Sequence, residues 1–311
     1  MNNQHHYIQA IEFIGEHRIP IYFQPWYLDA NCGTDAWSGL IYSHNGSPIA
    51  IMPYYKRRRW GLPLIDMPHF TKYMGPWILE AYRTLKWEGK IFKFFIDHLP
   101  KVAIYRQNFH PVIKNWLPFY WEGFKQSTAY TYRLDRQSKE ELWEGLNRNM
   151  RRNIENAWNH GITIQESEDL AAFYQLNVLS FKRQGLQIPY TYEHLVRHDQ
   201  ALSLREKRKI FQANHLDGTP LAAGYLTIDS DTVYYHLSGE DAQFRSEGAG
   251  ILVLWSAILW AFSREGIQYF DFEGSMIKGV ESIRRQFGAY QVPYFKMKKF
   301  YFSWMELLTR G

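Results

Sequence analysis

The stretch from Ala249 to Arg264 limits this chain more than any other. Residues Ile251 to Phe262 are apolar apart from Ser256. A helix that is apolar all round cannot lie on a surface, so this one is predicted to be buried. It is also too short to cross a bilayer, which takes about 20 residues. The opening Met1-Asn2-Asn3-Gln4-His5-His6 is polar and lacks the charged-then-apolar order of a signal peptide. The expectation is a chain with no transmembrane segment and a cytoplasmic location, its first residues a mobile tail.

Around that helix the pattern is α/β. Asn45-Gly46 and Asp217-Gly218 each sit between strand-like segments, Trp37 to Tyr42 with Pro48 to Tyr55, and Lys209 to His215 with Pro220 to Ile228. Both dipeptides tolerate positive φ, as tight hairpin turns require. Lys56 to Arg59 follow the second strand and read as the charged guard of an edge strand. Arg18 to Phe23 is predicted as a strand, and Leu62 to Pro76 as a proline-punctuated loop. Glu80 to Leu99 is predicted as a helix with Phe92, Phe95, Ile96 and Leu99 as its apolar stripe. Ser138 and Glu141 form a capping box. Leu142, Leu146, Met150, Ile154 and Trp158 then recur every four residues, which predicts one helix ending at Gly161. Its other side carries Arg148, Arg151 and Arg152, open to reading as a solvated face or an anion-binding one. Each half holds a hairpin, a long helix and a strand, a pattern that hints at duplication.

A length of 311 residues suits two domains. With 12 Trp and 22 Tyr, the aromatic supply exceeds what a core needs, so some rings are expected to line a groove. Lys and Arg outnumber Asp and Glu by 36 to 31. That fits an anionic ligand, a nucleotide or RNA, or simply a basic surface. The single cysteine, Cys32, excludes an internal disulfide and a cysteine-based zinc site, and points to a reducing compartment. No metal motif, nucleophile elbow or P-loop lysine appears, which leaves hydrolase and kinase readings unsupported.

The chemistry is expected at Arg245-Ser246-Glu247-Gly248-Ala249-Gly250, where the apolar helix begins. A glycine turn feeding a helix exposes unpaired backbone N–H groups, and the helix dipole favours negative charge there. Glycines let a phosphate approach closely. Three strands precede this turn, whereas a dinucleotide-binding fold places it after its first parallel strand.

Arg245-x-x-Gly248-x-Gly250 resembles the R/Q-x-x-G-x-G/A loop of the GNAT superfamily. Ile267 to Ser275 (IQYFDFEGS), Ile283 to Gly288 (IRRQFG), Pro68 to Trp77 (PHFTKYMGPW) and Arg151 to Gly161 (RRNIENAWNHG) are similar to segments of its Fem-like branch. The resemblance covers most of the chain. It implies two tandem GNAT-like domains, 1–134 for the acceptor and 135–311 for the donor, each a mixed, mostly antiparallel sheet flanked by helices. It implies transfer of an acyl group from acyl-CoA, with acetyl-CoA first among donors, to an amine by direct attack. The acceptor would be a small molecule or a cell-envelope precursor, with no role for DNA or a metal. Ile283-Arg284 stands where the branch often has Phe-Lys, which keeps the charge but not the lysine. No coiled-coil insertion of tRNA-using members is apparent, which favours acyl-CoA over aminoacyl-tRNA. A non-catalytic binding module on the same scaffold stays open.

In such a domain Arg245 to Gly250 would hold the donor's pyrophosphate, and Leu237, Ser238 and Gly239 would lie against the thioester. Direct attack needs a neutral amine and a proton acceptor. Glu273 is the first candidate base and Asp271 the second, two apart on a strand and so on one face. His236 and Glu240, which flank Ser238-Gly239 at the end of the thioester strand, are secondary candidates. Tyr290 is a candidate proton donor to the leaving thiolate, Arg284 a candidate for an anionic group, and Lys72 and Tyr73 candidates for the acceptor.

Overall fold

The computed structural model describes residues 3–274 and 276–302, so Ser275 of the IQYFDFEGS segment lies outside the described residues. The chain divides into two compact units: Met1–Ala129 with Pro293–Gly311, and Tyr130–Val292. Unit 1 contains α1 (Asn3–Ile14), α2 (Pro25–Cys32), β1 (Trp37–His44), β2 (Ser47–Arg59), β3 (Leu62–Asp66), β4 (Trp77–Ile78), α3 (Leu85–His98), β5 (Ile104–Asn108) and α4 (Leu117–Trp121). The chain enters unit 2 along β6 (Lys125–Asp135). There follow α5 (Lys139–Gly145), α6 (Arg148–Asn159), β7 (Thr163–Glu166), α7 (Leu170–Arg183), α8 (Tyr192–Ser203), β8 (Arg208–Asn214), β9 (Pro220–Ile228), β10 (Thr232–Glu240), α9 (Ala249–Ser263), β11 (Tyr269–Asp271) and α10 (Lys278–Gln286). Finally β12 (Tyr290–Phe300) returns to unit 1.

In unit 1 the strand order is β1-β2-β3-β5-β12, with β4 beside β2. Only β3 and β5 pair in parallel among these, and α3 makes the crossover between them. Its Ile91, Phe92 and Phe95 are buried among Leu40, Met52, Ile65 and Tyr105. In unit 2 the order is β6-β11-β10-β9-β8-β7, where only β10 and β11 run parallel and α9 crosses between them. Each unit is thus a mostly antiparallel sheet carrying one parallel step with a helical crossover.

The apolar segment behaves as expected. Leu252, Val253, Leu254, Trp255, Ile258 and Phe262 of α9 are buried in the unit 2 core. Full burial of each large side chain contributes about 1.5–3 kcal/mol. Both hairpins form, and Asn45 (φ 49°) and Gly46 (φ 78°) adopt the positive φ their turn requires.

Four expectations fail. Arg18 to Phe23 is not a strand but part of two 3-10 turns, Glu16–Arg18 and Ile21–Phe23. The Gln24 amide holds them together by donating to Glu16 O and Ile19 O, each at 2.9 Å. His5 and His6 are not in a tail but in α1, whose Tyr7 is fully buried. Leu62 to Pro76 is not all loop, because Leu62–Asp66 form β3, paired with β2 from Tyr55↔Asp66 to Arg59↔Leu62. The β1 pairing ends opposite Tyr55, so the other side of Arg57 to Arg59 has no strand partner among the described residues, as the charged edge guard requires. The predicted helix over 138–161 is two helices. Its capping box is present, but the backbone N–H of Asn147 donates to Gln286 O at 2.9 Å instead of back along a helix. The Asn147 side chain then accepts from Asn149 N at 2.9 Å and caps α6.

Loss of that cap by Asn147→Ala is expected to cost about 1 kcal/mol, while Asn147→Asp retains most of it. Urea titration should show a lower midpoint at constant slope. An unchanged midpoint would mean that the bond to Gln286 alone sets the break.

Candidate functional site

The site begins where β10 and β11 part. They pair only through Thr232↔Tyr269, Val233↔Phe270 and Tyr234↔Asp271, yet β10 runs on to Glu240 against β9. Asp271, fully buried, ends β11. Its carboxylate accepts from Thr131 Oγ1 and from the Glu273 backbone N–H (2.8 Å), and pairs with Arg133 at 3.3 Å. Burial raises its pKa, against the opposing pull of Arg133 and Thr131. The chain then turns through Glu273 (φ 53°) and Gly274 (φ 69°), both left-handed. A Cβ on Gly274 would lie 2.1 Å from Tyr130 O, so only glycine fits.

The turn aims Glu273 back at β10, where its Oε1 lies 2.8 Å from His236 Nδ1. His236 is the extra residue of a bulge, since Tyr235 faces Leu226 and Leu237 faces Tyr225. Bulges re-aim side chains in this way. Behind it, the buried His198 of α8 has its ring 5.1 Å from that of His236.

Side chains of α7 cover the other flank of β10. Asn177 Nδ2 donates to Ser238 O at 2.6 Å, and its Oδ1 accepts from Tyr190 Oη at 2.6 Å. Ser180 Oγ accepts from the Glu240 backbone N–H at 2.9 Å. The helix sits so close that a Cβ on Gly239 would lie 2.4 Å from Asn177 N.

The space left along β10 is a cavity of about 560 Å³. Met150, Ile251, Leu254, Ile277, Val280 and Ile283 line its apolar side, and Asn177, Ser180, Arg183, His236, Glu240, Arg245 and Arg284 its polar side. Arg284 lies 5.4 Å from the Tyr235 ring centroid and 5.1 Å from that of Phe272. No carboxylate pairs with it among the described residues. Burial lowers the Arg284 pKa and, against the opposing pull of the Arg284 guanidinium, pushes that of Tyr235 up to about 12.

Of the residues singled out from sequence, Leu237, Ser238, Gly239, Arg245, Gly250 and Arg284 line this cavity. Glu273 reaches it through His236. The rest of the glycine loop serves the fold: Glu247 pairs with His215 at 3.2 Å, Ser246 O accepts from Asn156, and Ala249 is buried. Gly248, left-handed at φ 86°, caps α9 where a Cβ would meet Asn153 O at 2.2 Å. Tyr290 is 44% exposed, donates to Asp135 Oδ1 at 2.8 Å and does not line the cavity. Lys72 and Tyr73 belong to unit 1, where Lys72 lies 5.0 Å from the Tyr294 ring centroid and Tyr73 is buried against Tyr22, His110 and Tyr294.

One feature runs against a simple phosphate cradle. A Cβ on Gly250 would lie 2.5 Å from Glu240 Oε1, so a carboxylate already stands at the start of α9. Arg183 (3.0 Å) and Arg245 (3.6 Å) hold it. Sequence reasoning missed Asn177, Ser180 and Arg183. The available signal was Asn177, a polar residue next to Leu176 and four after Phe173, at core spacing in a helix.

Residues 145–282 match the family model described as an acetyltransferase (GNAT) domain. The fold is GNAT-type and Fem-like. A FemX crystal structure is similar with a TM-score of 0.66 at 11% identity, covering 87% of this chain and 90% of that one. L-PGS from Bacillus licheniformis gives 0.54 at 12%, covering 91% and 94%. A tandem GNAT protein from the clavulanic acid biosynthesis pathway gives 0.52 at 10%, covering 85% and 83%. At such identities the likeness is one of fold. No curated protein matches the sequence. Within the GNAT domain, the parted strands, the bulge and the start of α9 surround one cavity. Among the described residues no group of three or more His, Cys, Asp or Glu is placed to hold a metal ion, and no helix is long and apolar enough to cross a membrane.

His198 gives the domain a pH signature. Burial, aided by His236, holds its pKa well below 6.5. Below pH 6.5 the unfolded chain takes up a proton that the folded chain refuses. The His198 contribution is therefore complete above that pH and is lost as pH falls toward the folded value, at up to about 1.4 kcal/mol per pH unit. Unfolding free energies measured from about pH 7 to about pH 5 should fall more steeply for the wild type than for His198→Gln. Parallel profiles would show that His198 is not held neutral.

Proposed function

We propose that the GNAT domain is an acyltransferase whose cavity takes an acyl-thioester of the acyl-CoA type and passes the acyl group to an amine. The observation that carries this reading is the cavity along the free flank of β10, with an apolar wall for an extended thioester arm and the start of α9 with Arg183 and Arg245 at one side. In the reaction the amine nitrogen attacks the thioester carbonyl, the C–S bond breaks, and the thiolate leaves with the electron pair. The amine proton passes to His236, directly or through water. Glu273, bonded to its Nδ1, orients the ring and stabilises the imidazolium that forms. The base assigned from sequence to Glu273 thus becomes a pair, and Asp271 is assigned the fold alone. Arg284, between Tyr235 and Phe272, is assigned to an anionic group of a substrate. The acceptor class is an amine on a small molecule or cell-envelope precursor, with recognition assigned to residues 1–134. A cytoplasmic location follows from the donor class and the single cysteine.

The donor is tested by thermal shift with CoA, acetyl-CoA and longer acyl-CoAs. Ligand at 100 times its dissociation constant adds about 2.7 kcal/mol if only the folded state binds. Arg245→Glu should abolish the shift. Glu240→Gln, by removing a carboxylate from the path of the phosphates, should tighten binding by about five- to tenfold, or ~1–1.4 kcal/mol. No shift with any thioester would end the acyl-CoA reading and turn the search to aminoacyl-tRNA, for which exposed Arg148 and Arg152 on α6 provide phosphate contacts.

Once an acceptor is found, His236→Gln should lower kcat by about a hundredfold and Glu273→Gln by about tenfold, with KM for the donor little changed. Equal, small losses would remove the pair from the chemistry.

A further inference from the structure

Unit 1 carries a surface none of whose residues lines the cavity of unit 2. At one end of its sheet the β2–β3 turn, the start of β5 and the end of β12 come together. Arg59 faces Leu62, Ala103 N donates to Pro63 O at 2.8 Å, and Tyr301 N donates to Ala103 O at 3.0 Å. The three segments that meet there, 56–63, 99–103 and 298–302, hold seven Lys or Arg and no Asp or Glu. Aromatic rings stand among these charges: Trp60 is 75% exposed, Phe302 48% and Tyr301 40%.

The turn itself presents Trp60. Its φ is 52°, a left-handed conformation that a bulky side chain rarely accepts. The fold recovers little by burying the ring, which projects at the tip with the Arg59 guanidinium 4.3 Å from its centroid. Arg58 Nη2 donates to Gly61 O at 2.8 Å and steadies the turn. A protruding Trp with Arg58 and Arg59 at its own turn matches the interface of an anionic bilayer. There an indole sits at headgroup level, and Lys and Arg are drawn to the negative surface potential. A nucleic acid would instead call for a groove that tracks a backbone, with rings set for stacking; here the most exposed ring among the described residues stands alone at the tip of the β2–β3 turn.

We propose that this end of unit 1 docks on an anionic phospholipid surface, with Trp60 entering the headgroup layer and Arg58, Arg59 and Lys101 meeting the lipid phosphates. Binding is peripheral and reversible, and it does not depend on the acyl-transfer reading.

The test is co-flotation of the full chain with vesicles of phosphatidylcholine alone and of phosphatidylcholine with phosphatidylglycerol, at low and high salt. Binding is expected only with the anionic vesicles and should weaken with salt. Arg58→Glu with Arg59→Glu should lower the partition coefficient by on the order of a hundredfold. Trp60→Ala should lower it several-fold and leave the salt dependence intact. These side chains are exposed, so an unchanged Tm confirms that the variants fold. Failure of the wild type to float with anionic vesicles overturns the proposal. So does flotation that neither variant changes. If vesicles are ignored but the charge reversal abolishes binding to RNA, the surface is a nucleic-acid site and the lipid assignment is wrong.

Discussion

Asp271 is wholly buried, and its two oxygens gather Thr131, Arg133 and the backbone N–H of Glu273. A carboxylate removed from water needs such partners, because an unpaired buried charge costs several kcal/mol. Meeting that need fixes the geometry of unit 2. The bond to Glu273 N ends β11 and starts a left-handed turn, and β10 loses its parallel neighbour after Tyr234. The cavity, the His236–Glu273 pair and the free flank of β10 all follow from that parting.

Keeping the cavity open requires support on its other sides. Asn177 and Ser180 supply β10 with hydrogen bonds from α7, which comes close because Gly239 has no side chain. Gly248 does the same for α6 and α9. The glycines of the loop therefore act chiefly as close-packing points, and the charges there are those of Glu240 with Arg183 and Arg245. Two arginines on one carboxylate form a charge cluster, a different arrangement from an empty nest of backbone N–H groups.

Much of this was legible in advance. Arg245 and Gly250 from the two ends of the loop, the Leu237 to Gly239 strand end and Arg284 do meet at one cavity, because a strand, a turn and a helix start are local structures that local residues encode. Glu273 was legible as a candidate carboxylate but not as the partner of His236. Two-residue alternation put it on a strand face beside Asp271, whereas β11 stops at Asp271 and the turn reverses the side chain. Tyr290 and Lys72 carried no signal of their neighbours, Asp135 and Tyr294, because those contacts join residues far apart in sequence. The split of the 138–161 helix was hidden for the same reason: Gln286 captures an N–H whose helical periodicity is intact.

By itself the sequence determined both hairpin turns, the capping box, the burial of α9 and the family pattern of the loop. Each depends on φ preference, spacing or apolarity within a few residues. The tertiary structure decided where strands part, which carboxylate is structural, and which side chains share the cavity. Those outcomes depend on desolvation and on hydrogen bonds between distant segments, as when Thr131 and Arg133 meet Asp271 and so bring Glu273 to His236.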